Sequence, residues 1–150
     1  MQTIKIRSAE RKDCPAMMDL IRELAQFEKA PEEVTVTMEE FEDAGFGENP
    51  VWEALLAESQ GEVVGMALFY IRYSTWKGRR LYLEDLVVRE AMRGKGVGTQ
   101  LFEALWELVR TRKYAGMVWQ VLDWNEPAIQ FYQKYSAKFD GAWLNVSREL

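Results

Sequence analysis

The chain has 150 residues, of which 48% are hydrophobic and 29% are charged, and its net charge is −5. This length and mixture predict a single globular domain over residues 1–150 that buries a substantial core. The acidic balance argues against nucleic acid as the main partner and suits a cationic substrate.

Two amino acids that carry much of enzyme chemistry are scarce. Histidine is absent and Cys14 is the single cysteine. This excludes serine–histidine and cysteine–histidine catalysis, an intrachain disulfide and the usual zinc sites, so we expect no metal. A catalytic acid or base is then Glu, Asp, Tyr, Lys or Cys. No apolar run is long enough to span a bilayer and the N-terminus lacks a signal-peptide pattern, which predicts a cytoplasmic protein without membrane contact.

The N-terminal region predicts a strand followed by an amphipathic helix. Alternation over Thr3–Arg7 is typical of an edge strand. Asp13 is expected to cap a helix whose apolar stripe consists of Met17, Leu20, Ile21, Leu24 and Phe27. Glu28, with Glu32 and Glu33 behind it, forms either a solvated acidic loop or a rim that attracts an amine.

The middle of the chain predicts a short helix and a hairpin. Thr37 and Glu40 fit a capping box for the helix. Trp52–Glu58 and Val63–Tyr73 are expected to pair as antiparallel strands. The connection that follows, Ser74–Arg79 (STWKGR), is either a substrate-contacting loop or a surface turn.

A buried strand is predicted over Leu81–Val88 (LYLEDLVV), because branched and aromatic side chains dominate it. Glu84 and Asp85 interrupt it, and a carboxylate in a buried strand needs either partners or a function. If the alternation is regular, the two side chains lie on opposite faces of the sheet, which makes Glu84 the candidate for chemistry and Asp85 a structural residue.

The strand leads into Arg93–Thr99 (RGKGVGT) and then into a helix with apolar residues at helical spacing. Glycines there let the backbone approach a ligand closely, and the first amides of the helix form an anion site beside Arg93 and Lys95. A phosphate or diphosphate is the expected occupant. The spacing fits neither a P-loop nor a dinucleotide fingerprint, and the alternative is a glycine-rich turn with solvated basic residues.

A second strand-to-helix junction is predicted nearer the C-terminus. Met117–Leu122 has the composition of a short strand, and Asn125 is a natural N-cap for a helix over 128–135, with Pro127 in its first turn. Two short strands are expected to close the chain: Lys138–Phe139 and Trp143–Ser147.

The pattern Arg93-x-x-Gly96-x-Gly98 matches the acetyl-CoA signature Q/R-x-x-G-x-G/A of the GNAT N-acetyltransferases, which the chain resembles over essentially its whole length. It is similar to the diamine acetyltransferases in Gly45–Pro50 (GFGENP), Leu81–Asp85 (LYLED) and Trp124–Pro127 (WNEP). Ser74–Arg79 and Leu122–Asn125 (LDWN) resemble the thialysine N-epsilon-acetyltransferase branch more than the spermidine/spermine branch. The resemblance implies an α/β (α+β) GNAT fold, whose mixed, mostly antiparallel central sheet splays open after the central strand and is flanked by helices.

The resemblance also implies an activity. The protein would be an acetyl-CoA-dependent N-acetyltransferase (an acyltransferase) that acts on a primary amine of a small cationic molecule by direct attack in a ternary complex. Thialysine, a lysine-like compound or a diamine or polyamine would be the substrate, and the protein would be a homodimer. Three alternatives stay open: acetylation of a protein or drug amine, a non-catalytic CoA-binding or sensing module, and a dinucleotide oxidoreductase, for which the glycine spacing is wrong.

The same resemblance assigns roles to individual residues. Tyr132 matches the family's proton donor and Glu84 its substrate-side carboxylate. The substrate-binding residues would be Phe27, Glu28, Ser74, Thr75, Trp76 and Glu84. The cofactor-binding residues would be Leu86, Val87 and Val88 for the pantetheine arm, Arg93, Gly94, Lys95, Gly96, Val97, Gly98 and Thr99 for the diphosphate, and Asn125, Glu126, Pro127 and Ala128 near the thioester.

The chemistry explains why such residues are needed. A lysine-like ammonium with a pKa of ~10.4 is deprotonated about once in a few thousand molecules at pH 7, so a carboxylate such as Glu84 has to accept the proton, directly or through water. The departing thiolate belongs to a thiol with a pKa of ~8.5, and a phenol such as Tyr132 can donate a proton to it. We expect backbone N–H groups near Leu86 and Val88 to stabilise the oxyanion.

Two places depart from the family pattern. Ser136 stands where the family commonly has glycine, at an expected left-handed helix cap, which predicts a different or strained turn. The segment between Ala137 and Trp143 is shorter than in the animal diamine enzymes, and Asp140 is a weak replacement for their substrate-contacting glutamate.

Overall fold

A five-stranded sheet organises the chain as far as Trp119. In the computed structural model, which describes residues 3–150, its strands are β1 (Lys5–Ser8), β2 (Glu53–Ser59), β3 (Glu62–Ser74), β4 (Gly78–Val88) and β5 (Met117–Trp119). The strands lie in the order β1-β2-β3-β4-β5, with antiparallel neighbours up to β4 and with β5 parallel to β4. The mixed, mostly antiparallel sheet expected from the sequence is confirmed.

Three α-helices of the described residues belong to the same unit: α1 (Cys14–Phe27), α2 (Met38–Phe46) and α3 (Val97–Thr111). Helix α1 buries Met17 and Leu20 of its predicted stripe, while Phe27 at its end is 41% exposed. Thr37 caps α2 as predicted, since its hydroxyl accepts a hydrogen bond from the Glu40 N–H at 3.1 Å. None of the helices in residues 3–150 has the length and apolar character that a membrane crossing requires.

The helices pack on both faces of the sheet. On one face, Met66 of β3 belongs to the core that α1 and α2 cover. Its neighbour Gly65 points to the opposite face, where an added Cβ would meet Val97 Cγ1 at 3.1 Å and Leu101 Cδ1 at 3.2 Å. Glycine at position 65 therefore lets α3 approach the sheet closely.

The sheet opens beyond the middle of β4. Strand β5 pairs with β4 only over Leu81–Leu83 in the described residues, whereas β3 pairs with β4 as far as Val88. Half of the backbone groups of residues 84–88 therefore face away from β3, on a side where no described strand pairs with them. This is the splayed sheet that the sequence resemblance implies.

Residues Gln120–Leu150 form a second compact unit, which is described here by itself. It contains α4 (Glu126–Gln133) and is otherwise without helices or strands in its described residues. The strands predicted at Lys138–Phe139 and Trp143–Ser147 are therefore wrong, because this unit offers no strand with which they could pair. The preceding strand ends at Trp119 rather than at the predicted Leu122.

The predicted cap of α1 is wrong in one respect. Asp13 stands at the N-cap position, yet its side chain makes no capping hydrogen bond. Its carboxylate instead accepts hydrogen bonds from Arg7 at 2.8 and 2.9 Å and from the Glu10 N–H at 2.8 Å. The partly buried pair with Arg7 keeps the pKa of Asp13 below its usual value and connects β1 to the start of α1.

Candidate active site

A β-bulge shapes the centre of the candidate site. Phe69 pairs with Leu83 but its neighbour Leu68 pairs with Asp85, so Glu84 is an extra residue without a partner on β3. The bulge breaks the regular alternation on which the structural interpretation of Asp85 depended. Opposite Leu68, which belongs to the core beneath α1 and α2, Asp85 is directed to that same face of the sheet.

Glu84 is directed to the same face. Its Oε1 accepts a hydrogen bond of 2.8 Å from the Tyr70 hydroxyl, and Tyr70 lies two residues from Leu68 on β3, hence on the same side. Tyr70 also stacks on Tyr82, with ring centroids 5.2 Å apart. Glu84 is exposed, so the structure combines a solvent-facing carboxylate with a phenol that fixes its position.

Asp85 is the carboxylate whose chemistry is most altered. It is partly buried and accepts no hydrogen bond from a described residue. Burial, together with the negative charges of Glu84 and Glu28, raises the pKa of Asp85 to about 7. A carboxyl group with a pKa near the working pH is suited to accept and release protons.

Glu28 completes this acidic group from the opposite element. It lies immediately after α1, at the C-cap position, and burial raises its pKa above the ordinary value. The predicted substrate-side residues Glu28 and Glu84 are thus brought to the neighbourhood of Asp85. Three carboxylates from α1 and β4 form a negatively charged site that favours a bound cation.

The glycine turn Arg93–Thr99 leads into helix α3, as the sequence predicts. Gly94 and Gly96 have φ angles of +76° and +82°, a region that side chains disfavour, and Gly96 is the N-cap of α3. No side chain caps the helix, so the first amides of α3 remain available to a ligand. Arg93 and Lys95 are exposed beside them.

These features fit the diphosphate of a CoA thioester. The space beside the α carbons of Gly94 and Gly96 is open within 4 Å, as a close ligand requires. Uncapped amides at the start of a 15-residue helix and two cations supply donors and charge of the right sign. The free side of β4 at Leu86–Val88 offers backbone groups for an extended arm.

Arg93 is held by both strand and helix. Its Nε donates to the Val88 carbonyl at 3.2 Å, and its guanidinium lies 5.6 Å above the centre of the Phe27 ring. Phe27, predicted to bind substrate, therefore packs against the arginine that begins the glycine turn.

Tyr132 and the predicted thioester-side residues belong to the second unit. The Asn125 side chain accepts a hydrogen bond from the Ala128 N–H at 3.4 Å, so the predicted N-cap of α4 is confirmed. Tyr132 is 8% exposed and packs edge-on against Phe131 at 5.5 Å. Ser136 has a φ of +57°, so the strained left-handed turn predicted there is present.

The hairpin residues predicted to bind substrate lie away from the carboxylates. Ser74 Oγ accepts hydrogen bonds from the Trp76 and Lys77 N–H groups at 3.2 and 3.1 Å, which stabilises the β3–β4 turn. Trp76 is 86% exposed. Along β4 this turn is roughly 20 Å from Glu84, at about 3.3 Å per residue. A contact of these hairpin residues with the substrate stays a prediction.

Sequence reasoning missed part of the site. The importance of Asp85 depends on the bulge and on Glu28, and Tyr70 acts through its hydrogen bond to Glu84, 14 residues away in the sequence. The two consecutive carboxylates in an apolar strand are a signal for Asp85, but the relative orientation of their side chains does not follow from the sequence pattern alone.

Residues 15–136 match the family model described as the acetyltransferase (GNAT) family. The chain belongs to this family and is an acetyl-CoA-dependent N-acetyltransferase of the acyltransferase class. Acetyl-CoA is the acetyl donor that GNAT enzymes use. In residues 3–150 no group of three His, Cys, Asp or Glu side chains is placed to hold a metal ion.

The chain is also similar to individual acetyltransferases. The chain is 40% identical to thialysine N-epsilon-acetyltransferase of Mus musculus over 146 residues, covering 92% of this chain and 86% of that one. It is 34% identical to spermidine/spermine N(1)-acetyltransferase-like protein 1 of Homo sapiens, covering 91% of this chain and 21% of that protein. An aminoglycoside acetyltransferase from an uncultured soil metagenomic sample, crystallised with trehalose, shares the fold with a TM-score of 0.80 at 18% identity, covering 98% of this chain and 96% of that one.

Proposed function

We propose that this enzyme acetylates the primary amine of a small cationic molecule such as thialysine, a lysine-like compound or a diamine. The observation that carries the proposal is the acidic group of Glu28, Glu84 and Asp85 on one face of the sheet. This group favours a bound ammonium and includes a carboxylate able to take its proton. The names of the thialysine and polyamine relatives agree with such a substrate.

Acetyl-CoA, when bound, supplies the acetyl group as a thioester. The Gly94–Thr99 amides, with Arg93 and Lys95, would hold its diphosphate, and the free backbone side of Leu86–Val88 would pair with its pantetheine arm. Residues Asn125–Ala128 would contact that arm near the thioester.

Deprotonation of the amine is the demanding step. Freeing an amine of pKa ~10.4 at pH 7 costs roughly 4 to 5 kcal/mol, which a neighbouring base helps to offset. We assign this role to the pair Glu84 and Asp85. Glu84 meets the ammonium from the solvent side, and Asp85, with its pKa of about 7, takes up the proton directly or through water.

Tyr132 is the proposed acid. Its hydroxyl would hold the proton that the leaving sulfur takes as the amide forms, and Leu86 and Val88 N–H groups would stabilise the oxyanion. A phenol with a pKa of ~10 is a weak enough acid to keep its proton until a thiolate develops. Direct transfer then needs no covalent acetyl-enzyme.

The substrate class is tested by release of free thiol from acetyl-CoA. Thialysine, lysine, putrescine, spermidine, a lysine-containing peptide and an aminoglycoside would be compared at equal concentration. We expect thialysine and the other small amines to give the highest kcat/KM. Glu28→Gln should raise the KM for the amine. Glu39→Gln should leave that KM unchanged, because Glu39 is an exposed carboxylate on α2.

The other outcomes separate the alternatives. Preference for the peptide or the aminoglycoside would favour a protein or drug amine as substrate. CoA binding without thiol release on any amine would favour a non-catalytic CoA-binding module.

We also propose three further features of the protein. The family match crosses from one compact unit to the other, which supports a single acetyltransferase domain over residues 1–150. A homodimer is supported by the C-terminal segment, where Trp143, Leu144 and Val146 are 75%, 87% and 90% exposed. A cytoplasmic location, without nucleic-acid or membrane partners, remains an interpretation of the sequence.

A further inference from the structure

The carboxylate of Glu23 connects helix α1 to the turn Glu90–Met92, which precedes the glycine turn. Glu23 Oε1 accepts a hydrogen bond from the Glu90 N–H at 3.1 Å, a contact that spans 67 residues of sequence. The same carboxylate lies 3.9 Å from Arg93 Nη2 and 4.0 Å from Arg89 Nη1. Glu23 thus contacts the backbone of the turn and the arginines on both sides of it.

These contacts restrict Arg93 from several directions. Its Nε is bonded to the Val88 carbonyl at 3.2 Å, its guanidinium lies over the Phe27 ring, and its Nη2 faces Glu23. A free arginine side chain loses up to about 2 kcal/mol of rotamer entropy when a ligand orders it. An arginine already held in place loses less of that freedom when an anion binds.

We propose that Glu23 is a positioning residue for acetyl-CoA: it orders the turn Glu90–Met92 and orients Arg93 toward the diphosphate. The inference rests on the proposed diphosphate site at Gly94–Thr99. Glu23 does not touch the cofactor in this role. As an anion it slightly disfavours a nearby diphosphate, so any loss of CoA binding on its removal reports positioning rather than lost attraction.

The test uses CoA binding measured by isothermal titration calorimetry, together with steady-state kinetics. Glu23→Ala removes the acceptor and the charge, whereas Glu23→Gln keeps an oxygen for the Glu90 N–H. Asp19→Ala is the matched control, because Asp19 is an exposed carboxylate one turn earlier on α1 and takes no part in the contacts with the turn. All variants would first be checked for folding by circular dichroism.

We expect Glu23→Ala to raise the Kd for CoA by about tenfold, Glu23→Gln by about threefold, and Asp19→Ala by less than about twofold, as loss of a charge-assisted hydrogen bond and a weak ion pair implies. The KM for acetyl-CoA should rise in parallel, with kcat and the KM for the amine within about twofold of the parent. This split distinguishes positioning of the cofactor from general damage.

Unchanged CoA affinity in Glu23→Ala, or an equal loss in Asp19→Ala, would overturn the inference while leaving the diphosphate site intact. If Glu23→Ala does not fold, the test uses Glu23→Gln, and a Kd for CoA equal to the parent's in that variant overturns the inference. A parent protein that does not bind CoA would overturn both the proposed cofactor site and this role of Glu23.

Discussion

At the level of single residues, the site depends on two adjacent carboxylates, Glu84 and Asp85, that lie in different environments. Glu84 is exposed and accepts a hydrogen bond from Tyr70, whereas Asp85 is partly buried, accepts no hydrogen bond from residues 3–150 and has its pKa raised to about 7. A single inserted residue in β4 produces the difference, because it turns both side chains to the face occupied by α1. In the proposed mechanism Glu84 therefore binds the ammonium, and its neighbour Asp85 accepts the proton.

The raised pKa of Asp85 predicts a pH-dependent cost to stability. The folded pKa of about 7 lies above the ordinary value of 3.8, so folding favours the protonated form and stability is lost as pH rises between these values. Asp85→Asn avoids this loss. We expect its free energy of unfolding in urea to exceed the parent's by on the order of 1–3 kcal/mol at pH 8 and by less at pH 5.

Glu39→Gln is the matched control for this measurement, since Glu39 is exposed on α2 and is not one of the charges that raise the pKa of Asp85. An Asp85→Asn variant with the same stability difference from the parent at pH 5 and pH 8 would remove the assignment of a perturbed carboxyl.

A second prediction for a single residue concerns the hydroxyl of Tyr132. Tyr132→Phe removes only the hydroxyl, so we expect kcat to fall at least about tenfold while the Kd for CoA stays unchanged. Tyr135→Phe, on the same segment and also in contact with Phe131, should keep kcat within about twofold. Parental turnover in Tyr132→Phe would exclude the phenol as the proton donor.

At the scale of elements, the glycine turn and its helix were predictable because their signals are local. The spacing of Gly94, Gly96 and Gly98 before an apolar helix is readable from the sequence, as is the Asn125 cap of α4. The bulge was not, since it depends on how β3 and β4 align. The predicted C-terminal strands failed for a related reason: a strand pattern does not contain the partner with which it must pair.

The end of α4 stores backbone strain that a substitution can release. Ser136 is exposed and has a φ of +57°, a conformation that costs a non-glycine residue roughly 1 kcal/mol. Ser136→Gly should therefore raise the free energy of unfolding by about 0.5–1 kcal/mol. Ser147→Gly, an exposed serine outside the positive-φ region, should give no gain, and an equal gain there would argue against relief of strain.

At the scale of the whole molecule, the exposed apolar C-terminal residues support self-association. Light scattering after gel filtration should give a mass near twice 17.5 kDa. Trp143→Ser should shift the protein toward the monomer, because Trp143 is 75% exposed in the isolated chain. Trp106→Ser on α3, where the ring is 47% exposed, is the control, and a monomeric parent would contradict the proposal.

The central claim is that the Glu84 and Asp85 pair accepts the amine proton, and the pH dependence of kcat/KM for thialysine tests it most directly. We predict a rise through about pH 7 in the parent, in keeping with the pKa of Asp85. Asp85→Asn should lose this step, so its loss of rate should grow as pH rises through about 7 and shrink only as pH approaches the amine's pKa of ~10.4. Glu84→Gln should shift the step to lower pH, because it removes one of the charges that raise the pKa of Asp85. An unchanged step in Asp85→Asn, or losses that do not vary with pH, would contradict the account.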